Sequence, residues 1–225
     1  MKQSLAILAP VLALAAAWLA APPPARAGTI TGTVSVNTSS FVGSSNPFEV
    51  FFTLSDGSGT GDGNNSVTLS GFSFGTGGAA GAVDAANTAN AGGSLSSGVT
   101  MNDATFSDSF AAFFTPGSSL SFTFTDTSAG LDTPTPDELT FALIENGAPL
   151  TTTDPTSNGD LVALTLDSAA GTTAVYTDTN AADSVGTPAV GSPVSTPEPQ
   201  AWLLLATGLG LVAMAARRRR ARARA

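Results

Sequence analysis

Residues 119–126 read SLSFTFTD. Leu120, Phe122 and Phe124 alternate with Ser and Thr, so one face is apolar and the other hydroxylated. A two-residue period of this kind marks a strand with one face on a core. Its aromatic and β-branched residues suit a pleated, half-buried surface. Pro116-Gly117 just upstream marks a turn. Before that turn, the stretch from Asp103 to Thr115 supports two readings. Phe106, Phe110, Phe113 and Phe114 stand at helical spacing, yet the Thr, Ser and Phe content favours a strand. The expectation is a strand with a bulge, and the alternative is a short helical turn.

Working outward, similar runs recur at sheet-like intervals. Thr29 to Asn37 (TITGTVSVN), Phe48 to Leu54 (FEVFFTL) and Ser66 to Phe74 (SVTLSGFSF, with a bulge before Phe74) read as strands; Ser94 to Met101 reads as a weak one. The segment from Gly75 to Gly93 is rich in Gly and Ala and reads as a loose connection. Beyond the opening stretch come Leu139 to Glu145 (LTFALIE), the hairpin turn Asn146-Gly147 and a returning strand at Ala148 to Thr152. Leu161 to Leu166 and Thr172 to Thr177 form a last pair. Eight to ten short strands imply an all-β fold, an antiparallel β-sandwich of jelly-roll-like type. The phenylalanines are read as its core.

The chain has 225 residues and a formal net charge of −9, and the distribution of that charge is more informative than its sum. The basic residues are Lys2, Arg26, Arg217, Arg218, Arg219, Arg220, Arg222 and Arg224, so none lies between Gly28 and Thr196. Of the seventeen acids only Glu198 lies outside that span, which leaves sixteen carboxylates inside it. No side-chain salt bridge can form there. Nucleic acid is excluded as a partner, because no cation can displace its counterions; anionic lipid is excluded for the same span. Cations are the natural electrostatic partners, Ca²⁺ among them, since it takes oxygen ligands. The repulsion should raise carboxyl pKa values, so that acid, salt or divalent cations stabilise the fold.

The chain has no Cys and no His. Disulfides, Ser-His-Asp triads, thiolate nucleophiles and imidazole or thiolate zinc sites are therefore absent. Without Lys in the body there is neither a Schiff base nor a P-loop lysine. Only carboxylate chemistry remains, and no Asp-Thr-Gly or comparable signature is present, so the expectation is a protein that is not an enzyme. The glycine- and Asx-rich loop from Asp56 to Asn65 (DGSGTGDGNN) is the one candidate metal loop. Asp56, Asp62, Asn64 and Asn65 are its candidate Ca²⁺ ligands, although the loop lacks EF-hand spacing and a closing Glu. A solvated turn-rich loop is the competing reading.

Both ends carry targeting patterns. Lys2, the apolar run Leu5 to Ala21, Pro22-Pro23-Pro24 and Ala25-Arg26-Ala27 read as a signal peptide, residues 1–27, cleaved before Gly28. An N-terminal anchor is the rival. At the other end, Pro197-Glu198-Pro199 precedes an uncharged run, Ala201 to Ala216, and an arginine cluster, Arg217, Arg218, Arg219 and Arg220, within the tail 217–225. As a helix the run would span roughly 24 Å, short of the ~30 Å hydrocarbon core. Arginines at its end act as a membrane stop and orient it with the cluster in the cytoplasm. Residues 183–196 are rich in Pro, Gly, Ser and Thr and read as a flexible linker after a domain of residues 28–182.

Pro197-Glu198-Pro199, an apolar helix with a Gly-Leu-Gly-Leu stretch and terminal arginines resembles the PEP-CTERM sorting signal, with Thr196 standing where Val is usual. The resemblance implies recognition by an exosortase, a membrane-embedded cysteine transpeptidase, and cleavage near residues 197–199. The body runs DGSGTGDGNNSVTLSGFSFG, SLSSGVTMND, FTPGSSLSFTF and TPDELTFALI are similar to small PEP-CTERM proteins with no assigned activity. The implied product is a non-enzymatic surface or extracellular-matrix protein. It would be exported as an inner-membrane-anchored precursor, held in that membrane transiently, and then associated with exopolysaccharide, biofilm or envelope components. The alternative is a carbohydrate-binding or Ca²⁺-binding β-sandwich module. Sugar platforms favour Trp or Tyr, and the body has only Tyr176, because Trp18 and Trp202 lie in the signals.

Overall fold

Residues 119–126 lie in the middle of a sheet, and a second sheet is laid against their apolar face. The computed structural model describes residues 28–128, 135–167, 172–180, 184–192 and 194–197, together with Gly208 and Val212 in helical conformation. The expected signal peptide and Arg217–Arg220 lie outside the described residues, as does the apolar run 201–216 apart from Gly208 and Val212. Among the described residues no helix is long and apolar enough to cross a membrane.

The chain runs β1 (Gly28–Asn37), β2 (Phe48–Ser55), β3 (Asn65–Ser73), β4 (Ala79–Val83), β5 (Gly92–Ser94), β6 (Gly98–Asn102) and β7 (Ser107–Thr115). It continues through β8 (Ser119–Ser128), β9 (Glu138–Glu145), β10 (Ala148–Pro149), β11 (Asp160–Thr165), β12 (Thr173–Val175), β13 (Ala189–Val190) and β14 (Val194–Pro197). One sheet has the order β13-β1-β8-β3-β6-β5, with β14 also on β1. The other has the order β12-β11-β9-β2-β7-β4, with β10 on β9. All strand pairs are antiparallel. Successive strands from β1 to β4, and again from β6 to β9, alternate between the sheets. The two sheets enclose one apolar core, an all-β sandwich.

The core follows from period-two patterning. Leu120, Phe122 and Phe124 of β8 point inward, as do Val50, Phe52 and Leu54 of β2 and Val67 and Leu69 of β3. Phe52 stands at the centre, with its ring 5.1 Å from Phe122, 5.2 Å from Phe141 and 6.1 Å from Phe72. A second ring cluster joins Phe41 to Phe48 at 4.7 Å and Phe74 to Phe114 at 5.7 Å. Asn146 and Gly147 have φ of 51° and 79°, the left-handed pair that a tight two-residue hairpin turn requires, and they join β9 to β10.

Four stretches gain detail over their sequence reading. The 103–115 stretch is a strand from Ser107, and its parity is two: Phe110 and Phe114 are buried, while Phe106 and Phe113 are exposed. The 75–93 connection contains β4 and the start of β5, which pair through backbone bonds that a Gly/Ala composition does not advertise. The returning strand after Asn146-Gly147 is only two residues long. Within the expected linker 183–196, β13 pairs Val34 and Ser35, β14 pairs Gly28 to Thr31, and Val185 is buried in the core. The bulge expected before Phe74 is present, as a register shift between Ser70 and Ser73.

Candidate cation site

At one end of the sandwich the inward-facing rows turn from apolar to acidic. Two residues beyond Leu54 the inward position is Asp56; beyond Phe124 it is Asp126; beyond Met101 it is Asp103. Two residues before Phe110 it is Asp108, before Leu139 it is Asp137, and before Val67 it is Asn65. The registers place these positions together, with Leu54 opposite both Asp108 and Leu139, and Val67 opposite both Met101 and Asp126. Asp103, Asp108, Asp126 and Asp137 are fully buried, Asp56 and Asp167 are 1 % exposed, and Asn65 is 2 % exposed. No side-chain cation exists in this span to neutralise them. Isolated buried charge is costly unless it is paired, protonated or bound to metal.

Some of these groups are satisfied by the protein. Asp56 accepts the backbone N–H groups of Gly59 (2.9 Å) and Asp62 (3.0 Å). Burial pushes its pKa up, but bonds from Ser58 and the Gly59, Gly61 and Asp62 amides outweigh it and hold the carboxyl below its ordinary value. Asp108 accepts from Asn102 N–H (3.1 Å) and Thr105 Oγ1 (2.9 Å). Asp167 accepts the Asp137 N–H at 2.8 Å. Asn65 stands between two acids: its N–H lies 3.1 Å from both Asp103 oxygens, and its Nδ2 donates to Asp137 Oδ2 at 2.6 Å.

Others are not satisfied. Both Asp126 carboxylate oxygens and Asn65 Oδ1 are buried without a hydrogen-bond partner. Burial, then the charges of Asp167 and Asp137, push the Asp126 carboxyl up to about 7. Asp103 is also raised, first by burial and then by a side-chain bond with Asp137, which requires a proton between the two. Asp167 is raised by burial. Desolvation leads in each of these, so the general repulsion expected from composition is the smaller cause.

Asp62, Asp103 and Asp137 each bring one carboxylate oxygen to within 4.8 Å of the other two. Asp62 is exposed and held by Asn64, whose N–H and Nδ2 donate to its two oxygens at 3.1 and 3.0 Å. Of the four loop residues singled out in the sequence, Asp62 and Asn65 therefore face the cluster. Asn64 supports Asp62, and Asp56 organises the loop. Asp103, Asp126, Asp137 and Asp167 were not foreseen. Extending each strand's inward parity by two residues is the signal that finds Asp103, Asp126 and Asp137. The donor set is all oxygen, so the cluster can take up protons or a hard cation.

A second acidic group lies at β9 and β11. Asp160 is pushed up to about 6 by burial and by the charges of Asp154 and Glu138. Tyr176 is half-buried beside the same three acids. Of the sorting residues, Gly28 opens β1 and Pro197 closes β14 as its register partner. Ala25, Ala27, Glu198 and Pro199 lie outside the described residues. The chain matches no protein-family model, no curated protein and no solved structure.

Proposed function

We propose that this chain is a non-enzymatic exported protein of the cell surface or extracellular matrix, released from a membrane-held precursor by an exosortase. One observation carries the reading: Gly28, where a signal peptidase would cut, is the register partner of Pro197, the first residue of the sorting motif. The two processing points stand side by side, at the start of β1 and the end of β14, so trimming at both leaves the described strands whole. The strand order supports the jelly-roll form. The first, eighth, third and sixth strands are neighbours in one sheet, opposite the second, seventh and fourth in the other. The terminal helices belong to this proposal, read from the apolar runs that flank the domain.

The site chemistry supports a role without catalysis. Asp103 and Asp137 approach each other closely, but both carboxyl groups are fully buried rather than presented to a substrate. Among the described residues, the shallow depression lined by Pro149, Leu150, Thr152, Ser157 and Gly159 contains no titratable side chain. The sugar-binding alternative lacks an exposed aromatic platform at Tyr176.

The test is intact mass and fractionation of the native protein with and without active exosortase. A species beginning at Gly28 and ending near Pro197–Pro199, present only with the enzyme, is the expected result. A chain retaining residues 201–225 in both strains overturns it.

A further inference from the structure

We propose that the acid-lined end of the sandwich is a Ca²⁺ site. Asp62, Asp103 and Asp137 would each supply a carboxylate oxygen and Asn65 its Oδ1, with Asp126 behind them as a further negative charge. Two independent observations carry this. The first is convergence: residues from the β2–β3 loop, the end of β6 and the start of β9, far apart in the chain, bring carboxylate oxygens within 4.8 Å of one another. The second is orphaned polarity. Asn65 Oδ1 and both Asp126 oxygens are buried and unpartnered beside that cluster. A protein surface that merely carries excess acid does not drive a carboxylate into its core and leave it unbonded.

The chemistry selects the ion. Ca²⁺ takes six to eight oxygen ligands at about 2.3–2.6 Å, so ligands across the ion stand about 4.6–5.2 Å apart. Three oxygens within 4.8 Å of one another fit round one such ion. Mg²⁺ needs near-ideal octahedral geometry at about 2.0–2.1 Å and keeps its water. Zinc prefers nitrogen and sulfur, and this chain has no His or Cys. The exposed Asp62 leaves one side open to arriving ions, whereas the remaining ligands are already positioned by Asn65, Gly57 and Asp167. The Gly57 N–H holds Asp137 Oδ1 at 2.8 Å, and the Asp137 N–H reaches Asp167 at 2.8 Å.

Binding would tie loops from both sheets together at one end of the sandwich, making the fold more resistant to heat and proteolysis in Ca²⁺. The inference rests on the folded domain and stands whether or not the export reading does.

The experiment uses the full-length chain in detergent, stripped with EDTA and titrated with CaCl₂ by calorimetry and thermal unfolding. The expected result is one Ca²⁺ per chain, a rise in Tm, and little response to MgCl₂ at equal ionic strength. Asp62→Asn alters an exposed residue and leaves the core intact; with Asp103→Asn and Asp137→Asn it should raise the Kd at least about tenfold. Asp126→Asn should fold without metal and lose most of the Ca²⁺-dependent rise in Tm. Asp160→Asn, in the other acidic group, should bind as the parent does. No heat and no rise in Tm, an equal response to Mg²⁺, or undiminished binding by Asp62→Asn would each overturn the site.

Discussion

Asp126→Asn isolates the penalty of a buried, unpartnered carboxylate. Asp126 follows Phe124 on the inward face of β8, is fully buried, and neither oxygen has a hydrogen-bond partner. Asp137 at the start of β9 and Asp167 beyond β11 press on it with like charge, and its pKa is pushed up to about 7 from 3.8. A carboxyl whose folded pKa lies above its unfolded value binds protons more tightly when folded. The metal-free fold is therefore favoured as pH falls through 7 and penalised above it. Across that interval the penalty at pH 8 amounts to about 4 kcal/mol. Asparagine keeps the shape and removes the charge. In EDTA, Asp126→Asn should stabilise the chain by up to about 4 kcal/mol at pH 8 and by almost nothing near pH 4. Urea unfolding followed by far-UV circular dichroism at several pH values reads this directly. A variant less stable than the parent at pH 8, or one with the same pH dependence, would refute the reasoning.

Other substitutions test other parts of the argument. Phe52→Ala empties the ring cluster with Phe72, Phe122 and Phe141 and should cost about 3–5 kcal/mol in urea unfolding. Gly147→Ala meets no atom within 4 Å but must hold φ of +79°, so calorimetry should show a loss of about 1 kcal/mol from backbone strain alone. Asp160, raised to about 6, destabilises the fold once ionised. Asp160→Asn should therefore add on the order of 1 kcal/mol above pH 7 after solvent screening, and nothing below pH 4, in the same urea series.

The sandwich was legible where side chains alternate strongly. SLSFTFTD, FEVFFTL and LTFALIE state their inward faces outright, and Asn146-Gly147 states its turn. Reading failed where backbone pairing alone makes the strand. β4 (AAGAV) is nearly all exposed, so no burial pattern marks it. Proline, glycine and serine disguised β13 and β14 as linker because those residues are common in both settings, and an edge strand tolerates proline. The helical spacing of Phe106, Phe110, Phe113 and Phe114 was coincidental, since solvent takes Phe106 and Phe113. The site was half legible. Asx residues in a glycine loop pointed to Asp62 and Asn65. Asp126 closes SLSFTFTD and Asp103 opens the 103–115 stretch, and neither stands out as a ligand there, because aspartate at such a position ordinarily turns to water. Here the strands' parity carries it inward.

The proposed Ca²⁺ would occupy the end of the sandwich where six inward rows finish in Asp or Asn. Long-wavelength anomalous scattering from crystals of the protein grown in CaCl₂ tests this most directly. The expected result is a calcium peak among the carboxylate oxygens of Asp62, Asp103 and Asp137, about 2.3–2.6 Å from each, with Asn65 Oδ1 turned to it. Ordered side chains in that pocket with no peak, or a peak only in the loop between Asp154 and Asp160, would contradict it.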